Sequence, residues 1–216
     1  MSVIILFGKP GAGKGTRLSE FLRGREDDYS VLSVGNLLRK ARKEGTELGK
    51  QASKYMDAGE LVPDEIINEI VLEGIKNEQK IVISDGFPRT VAQAEAMINA
   101  GIIPDIVIEF CVDDEIVVQR AKDRIVCEAC GEPYTINNFN PPKEKGICDR
   151  CGARLIKRKD DEPETVRNRL SVYKKETYPV LKVFANANVK ICSIDSTDAT
   201  FFNRIFKATI LSLINN

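Results

Sequence analysis

An uninterrupted apolar run, Val3 to Phe7, feeds directly into Gly8-Lys9-Pro10-Gly11-Ala12-Gly13-Lys14, and a helical pattern follows with Leu18, Phe21 and Leu22 on one side. A run without polar alternation marks a strand covered on both faces, as in parallel sheets. The loop fits G-x-x-x-x-G-K between a strand and a helix, the context that gives this spacing a mechanism. Glycines at Gly11, Gly13 and Gly15 let the backbone curl without Cβ clashes, so that successive N–H groups turn inward onto phosphate oxygens. The helix N-terminus adds partial positive charge, and the Lys14 ammonium reaches the outer phosphates. The competing reading is a Gly-rich βα turn without a ligand; strand, lysine and helix in one register weigh against it.

Three further runs read as strands: Lys80 to Asp85, buried, then Asp105 to Val112 and Val189 to Ile194. Between the first two strands, Ser33 is placed to cap a short basic helix, and two more helical stretches are separated by a turn from Gly59 to Pro63. Gly86, Phe87 and Pro88 end the second strand before a helix carrying Ala92, Ala96 and Met97. Another helix starts at Asp113 or Asp114 and runs to Arg124. A long helical pattern after Glu162 is expected to break or bend near Pro179. The last helix sets Phe202, Ile205, Phe206, Ile210, Leu213 and Ile214 at helical spacing, as expected for docking onto a sheet. Strands alternating with helices predict a mainly parallel sheet covered on both faces. With 216 residues, 43% of them hydrophobic, the chain suits one α/β domain with insertions.

Composition narrows the chemistry. Thirty-two basic residues balance thirty-two acidic ones, which removes the global positive field of a general nucleic-acid binder and requires any polyanion site to be local. The chain contains no histidine, which excludes Ser-His-Asp and Cys-His catalysis, histidine proton shuttling and His-ligated metals. The start lacks the pattern of a secretory signal, and no apolar run approaches the roughly 20 residues of a membrane span, so a soluble cytoplasmic protein is expected. In a reducing compartment the six cysteines should not form a disulfide framework. Cys111 and Cys192, in strand-like runs, are expected to be small core residues.

The other four fall as Cys127-x2-Cys130-x17-Cys148-x2-Cys151, the two-knuckle spacing of a four-thiolate zinc site. Four protein ligands fill a tetrahedral Zn2+, so such a metal would be structural. Iron also takes four thiolates, and a metal-free lid or redox-active pairs are alternatives. A nucleic-acid-binding ribbon is a third reading, but Lys143 and Lys145 are offset by Glu132 and Glu144, and Tyr134 and Phe139 are the only aromatics between the knuckles.

One detail of the phosphate loop selects a family. A hydroxyl usually follows the lysine directly, whereas here Gly15 intervenes and the hydroxyl comes at Thr16. With "SVGNLLR" (Ser33 to Arg39), "MDAGELVPDE" (Met56 to Glu65), "DGFPRT" (Asp85 to Thr90), "NPPK" (Asn140 to Lys143) and "RKDDEPETVRNRL" (Arg158 to Leu170) in the same order, the chain resembles the bacterial-type adenylate kinases with a long lid. The resemblance covers nearly the whole chain, and no Asn-Lys-x-Asp guanine motif points to a GTPase. It implies an α/β phosphate-loop fold of three layers with a central, mainly parallel five-stranded sheet, a helical monophosphate-binding insert and a small zinc-bound β lid. The implied division is a core of residues 1–32, 63–124 and 161–216, an AMP-binding insert over 33–62 and a lid over 125–160, with hinged closure excluding water.

The implied reaction is ATP + AMP = 2 ADP with Mg2+, in a protein that is a monomer without nucleic-acid or membrane partners. Such transfer needs two anions brought in line inside a cationic cage, and by resemblance Lys14, Arg89, Arg124, Arg158 and Arg169 form it. Asp85 would hold the hydrated Mg2+ and Asp160 would order the closed site. A donor ATP would take Gly11, Ala12, Gly13, Lys14, Gly15 and Thr16, with Arg120, Arg124, Pro133 and Tyr134 around it. An acceptor AMP would take Val34, Arg39, Glu60, Leu61, Val62, Gly86, Phe87, Pro88, Arg89, Gln93, Arg158 and Arg169. The zinc would take Cys127, Cys130, Cys148 and Cys151. Arg167 is read as a surface charge. Three residues depart from the family pattern: Val34 stands where Thr is common, Glu60 where Lys is, and Asn36 where Asp is. Base selectivity then leans on Gln93 and backbone. A monophosphate kinase with a different acceptor base is the alternative enzyme, and a zinc-ribbon nucleic-acid binder the distant one.

Overall fold

In the computed structural model, which describes residues 2–136 and 140–214 and their side chains except those of Glu69, Leu213 and Ile214, the first apolar run becomes the central strand of a five-stranded parallel sheet. This strand, β1 (Val3–Gly8), lies between β3 (Ile81–Asp85) and β4 (Ile106–Cys111); β2 (Tyr29–Ser33) flanks β3 and β8 (Lys190–Asp195) flanks β4. Ile4 pairs with Ile83 on one side and Ile106 on the other.

The unbroken apolar run now has its reason. Val3, Ile5 and Phe7 point into one core and Ile4 and Leu6 into another, since side chains alternate across a sheet. The first core is completed by α4 (Asp64–Lys76), α5 (Val91–Asn99) and α8 (Val180–Asn186), which supply Val71, Met97 and Phe184. The second is closed by α1 (Lys14–Leu22), α6 (Asp114–Asp123) and α9 (Ala199–Ile214), which supply Phe21, Val117, Phe202 and Phe206, the last two packed on Phe110. Each such apolar side chain contributes roughly 1.5–3 kcal/mol on burial. Leu213 and Ile214, read as part of the docking stripe, have side chains outside those described, as does all of Phe139.

Several sequence expectations shift. β2 was not among the four apolar runs, because two serines interrupt it in "YSVLS" and only Tyr29 is buried. Ser33 occupies the N-cap of α2 (Val34–Glu44) without a side-chain capping bond, and Asp113 does the same at α6. Side-chain caps that do accept from backbone N–H groups include Thr46 on α3 (Glu47–Ala58), Thr90 on α5 and Asp198 before α9. Cys111 and Cys192 are half-buried, not core residues, because Cys111 ends its strand and Cys192 lies on the edge strand β8. The break expected near Pro179 is a wide π turn over Tyr173–Thr177, after α7 (Pro163–Val172). There the Tyr178 N–H donates to Tyr173 O at 2.8 Å. Proline has no N–H and its ring clashes with the carbonyl four residues back, so the chain widens one turn ahead of it.

Two excursions leave the sheet beside the end of β1. α2 and α3 pack on each other as a helical pair. β5 (Arg124–Cys127), β6 (Pro133–Thr135) and β7 (Leu155–Ile156) form a small antiparallel sheet with β5 in the middle. Arg124, read as the end of a helix, is instead the first residue of β5. The core of this small sheet consists of Cys127, Tyr134, Cys148 and Leu155. No described helix is long and apolar enough to cross a membrane.

Candidate active site

The phosphate loop forms at the C-terminal end of β1. Gly13 supplies the N-cap of α1 at φ 95°, a left-handed conformation that costs glycine little. Gly8 is fixed by packing too, since a Cβ there would stand 2.7 Å from the carbonyl oxygen of Phe110. Gly15 corrects the sequence reading: it lies inside α1, so it does not curl the loop. No protein atom lies within 4 Å of where its Cβ would be, which leaves the helix N-terminus open to an anion. Lys14 folds back over the loop, its Nζ donating to Gly8 O at 2.7 Å and Lys9 O at 3.0 Å. Burial takes its ammonium down to about 8; Asp85 opposes the drop, and Arg89, Arg169 and Arg124 add to it. Lys9 braces the loop from behind, donating to Val112 O at 2.6 Å and pairing with Asp114. Arg120 reaches the loop from α6, donating to Ala12 O at 3.3 Å and to Ser196 O at 2.8 Å.

Above the loop, four of the predicted arginines converge on two adjacent carboxylates or on each other's field. Arg158 forks onto Asp160, and Arg169 donates to the same Asp160 at 2.9 Å. Arg124 forks onto Asp161, whose side chain is fully buried. Burial pulls the Arg169 guanidinium down to about 9, opposed by Asp160, and that of Arg39 to about 9, with Arg158 adding to the drop; both stay charged at neutral pH. Burial acts the same way on Arg124, but the hydrogen bonds and charge of Asp161 outweigh it and hold Arg124 above its ordinary value. Burial would raise the Asp160 carboxyl, yet Arg158, then Arg169 and Arg124, keep it well below the usual carboxylate range. Asp161 went unassigned in the sequence, although "RKDD" offered both carboxylates. Its burial under Arg124 is what separates it from Asp160, and adjacency in sequence does not reveal that.

The acceptor side is built from the turn after β3 and the start of α5. Gly86 adopts φ 87°, and the next peptide, Phe87–Pro88, is cis. Phe87 is 1% exposed in the first core, so among the predicted contacts it has only backbone to offer. The Arg89 Nε donates to Gly86 O at 2.9 Å, and burial lowers its pKa against the pull of Asp85. Gln93, 3% exposed, lines the cleft with its amide engaged at both ends: Oε1 accepts from the Arg89 N–H at 2.6 Å, and Nε2 donates to Asp64 at 2.7 Å. Val34 and Val62 are buried on the cleft wall with Leu61 half-buried beside an exposed Glu60. Arg39 donates to Asn36 Oδ1 at 2.5 Å. Arg167 is exposed, as read.

The four cysteine sulfurs lie within 4.8 Å of one another and form no disulfide. Cys127 and Cys151 are 3.4 Å apart at sulfur, Cys130 and Cys148 3.7 Å. Tetrahedral Zn–S bonds of about 2.3 Å put sulfurs roughly 3.8 Å apart, so the cluster fits Zn2+. Backbone N–H of Cys130 and the Tyr134 hydroxyl lie at 3.4 and 3.5 Å from ligand sulfurs. This changes the picture for Tyr134: it borders the cleft, but its ring is 4% exposed in the core of the small sheet, and its hydroxyl serves Cys148 and the Asp149 N–H. Two residues that sequence reading did not assign bind the small sheet to α1: Ser19 Oγ donates to the buried Glu132 carboxylate at 2.5 Å. Lys43 of α2 donates to Glu128 O at 3.4 Å.

The loop, the arginines, the acceptor turn and both excursions enclose one cleft of about 2020 Å³, with Asp85 on its wall. A single small-molecule site occupies roughly 300–1,000 Å³, so this cleft has room for two nucleotides. Oxygen of one carboxylate at such a wall suits a hard cation that keeps most of its water, as Mg2+ does. The family model described as "Adenylate kinase" matches residues 6–189. Among curated proteins, the chain is 42% identical over 204 residues to an adenylate kinase of Methanosarcina barkeri (strain Fusaro / DSM 804), covering 90% of this chain and 91% of that one. It is 47% identical over 194 residues to an adenylate kinase of Staphylococcus aureus (strain Mu50 / ATCC 700699), covering 86% and 88%, and 45% identical over 191 residues to one from Geobacillus sp. (strain WCH70), covering 84% and 85%.

Proposed function

The chain belongs to the adenylate kinase family and catalyses ATP + AMP = 2 ADP, and on that premise we propose how its residues divide the work. Gly11 to Thr16 and Lys14 hold the donor phosphates, with Arg120 against the donor base and Arg124 on phosphate. Arg39 and Arg89 take the acceptor phosphate, and Gln93 with the backbone of Glu60 to Val62 and Gly86 takes the acceptor base and ribose. Lys14, Arg124, Arg158 and Arg169 surround the transferring group. Mg2+, when bound with ATP, would supply charge neutralisation at the phosphates, and Asp85 is the residue we assign to hold it.

The observation that carries this reading is the sharing of Asp160 by Arg158 and Arg169. Two guanidiniums held on one carboxylate keep their spacing before substrate arrives, so phosphate oxygens meet a preorganised cage and need no rearrangement. An acceptor phosphate is already anionic, which is why a chain without histidine suffices. A steady-state assay of Arg158→Lys tests it: charge is kept and the planar fork is lost, so kcat should fall roughly 100-fold with little change in either KM. Unchanged kcat would remove Arg158 from the cage.

The same proposal assigns Zn2+ to Cys127, Cys130, Cys148 and Cys151 as a structural ion, since four thiolates leave no open position. It divides the chain into a core (1–32, 63–124, 161–216), an acceptor-binding insert (33–62) and a lid (125–160). The even charge balance supports a protein without a nucleic-acid partner. We assign it to the cytoplasm, as a monomer.

A further inference from the structure

Behind the acceptor side of the cleft stands a polar group to which the reaction as described gives no part. Asp64, on the first turn of α4, receives two hydrogen bonds at 2.7 Å, from Thr90 Oγ1 and from Gln93 Nε2. Thr90 in turn accepts from the Gln93 backbone N–H at 3.1 Å. On its other side the Gln93 amide receives the Arg89 N–H on Oε1 at 2.6 Å. Gln93 is thus a buried, cleft-lining residue whose amide is held at both ends by half-buried neighbours, with Asp64 and Thr90 outside the cleft lining.

A carboxamide has two nearly isosteric faces, and which one a ligand meets depends on which neighbours hold it. An ionised carboxylate is acceptor-only, so only the NH2 end can face Asp64. An N–H is donor-only, so only the oxygen can face Arg89. Turning the amide over would set oxygen against carboxylate and NH2 against N–H, losing two part-buried hydrogen bonds and gaining two repulsions. What remains for a ligand is therefore fixed in pattern: one N–H on Nε2 and one lone pair on Oε1.

We infer that Asp64 is a positioning residue that locks the Gln93 amide in one orientation, and so makes the acceptor site select a base edge with a ring acceptor beside an exocyclic donor. Adenine has that edge, in N1 and the 6-amino group. A 6-oxopurine has the reverse, an N1–H donor beside an O6 acceptor, and could pair with Gln93 only if the amide turned over. With Val34 contributing no hydroxyl, the lock is the discriminating element, not the amide alone. The inference rests on the reading that Gln93 faces the acceptor base.

The test compares AMP with IMP, which differ only in this edge, as acceptors at saturating ATP. Asp64→Asn keeps the shape but presents either NH2 or oxygen to Gln93, which releases one of the two holds. The ratio of kcat/KM for AMP to that for IMP should fall about 10-fold or more, the scale of one buried polar mismatch, while KM for ATP stays unchanged. Asp64→Ser, whose hydroxyl both donates and accepts, should do the same and serves if the asparagine variant folds poorly. A merely structural role would lower both acceptors together and leave the ratio intact. Gln93→Leu separates the two layers: if it collapses the ratio while folded Asp64 variants keep the wild-type ratio, the lock is overturned and the reading of Gln93 survives. If Gln93→Leu itself leaves the ratio unchanged, the reading fails and the lock with it.

Discussion

Lys14 shows how much of a residue's behaviour lies outside its motif. Its position in G-x-x-x-x-G-K was legible at once, but its surroundings were not: burial and three arginines bring its pKa to about 8 in the nucleotide-free protein. The sign follows from the depressed value. Above about 8 the free protein's lysine is losing its proton, and bound phosphates restore the charged form, so binding takes a proton up. ATP affinity should therefore decline as pH rises through about 8, and calorimetry at pH 8.5 in buffers of different ionisation enthalpy should register the uptake. Binding heats independent of the buffer would contradict it. In the absence of nucleotide the same shift runs the other way, since the unfolded chain holds more protons than the folded one between about 8 and 10.5 and stability rises with pH across that window. Asp161 makes the complementary point about residues. It looks equivalent to Asp160 in "RKDD", and only the fold buries it under Arg124 and leaves Asp160 to Arg158 and Arg169.

Among the elements, the small sheet depends most on something other than its own packing. Three strands, the longest of four residues, enclose a core of two cysteines, Tyr134 and Leu155, too little apolar burial to order the segment alone. Metal bound as proposed by the four cysteines would close that deficit. Cys127→Ser should lose bound Zn2+ by metal analysis and lower the thermal midpoint by several degrees, while much of the turnover persists at low temperature, where the lid stays folded. Abolished turnover with the lid intact would mean the metal acts in the chemistry. The cysteine spacing announced this element, whereas its first edge was misread, since Arg124 belongs to strand and not helix, and the hydroxyl contacts of Tyr134 with Cys148 and Asp149 had no sequence signal. The contact between Ser19 and Glu132 had no sequence signal, because it joins residues 113 apart. β2 escaped because two serines break its apolar run in "YSVLS", whereas β8, also an edge strand, keeps apolar residues enough to be visible.

For the molecule as a whole, strand and helix alternation was enough to give a parallel sheet with two cores, because each central strand must be apolar on both faces. What alternation did not give was the closure of both excursions over one end of β1, which depends on pairs such as Lys43 with Glu128 and Asn168 with Ala58 from distant parts of the chain. That arrangement turns a surface loop into a cleft lined by cations, where charge interactions are stronger than on an open surface. Lys14 sits on the loop in the field of Asp85, Arg89, Arg124 and Arg169. Steady-state turnover of Lys14→Ala is therefore the most direct measurement: kcat should fall at least about 100-fold while the thermal midpoint stays within a few degrees of the unaltered protein, whereas turnover near the normal rate in a folded variant would contradict the cage.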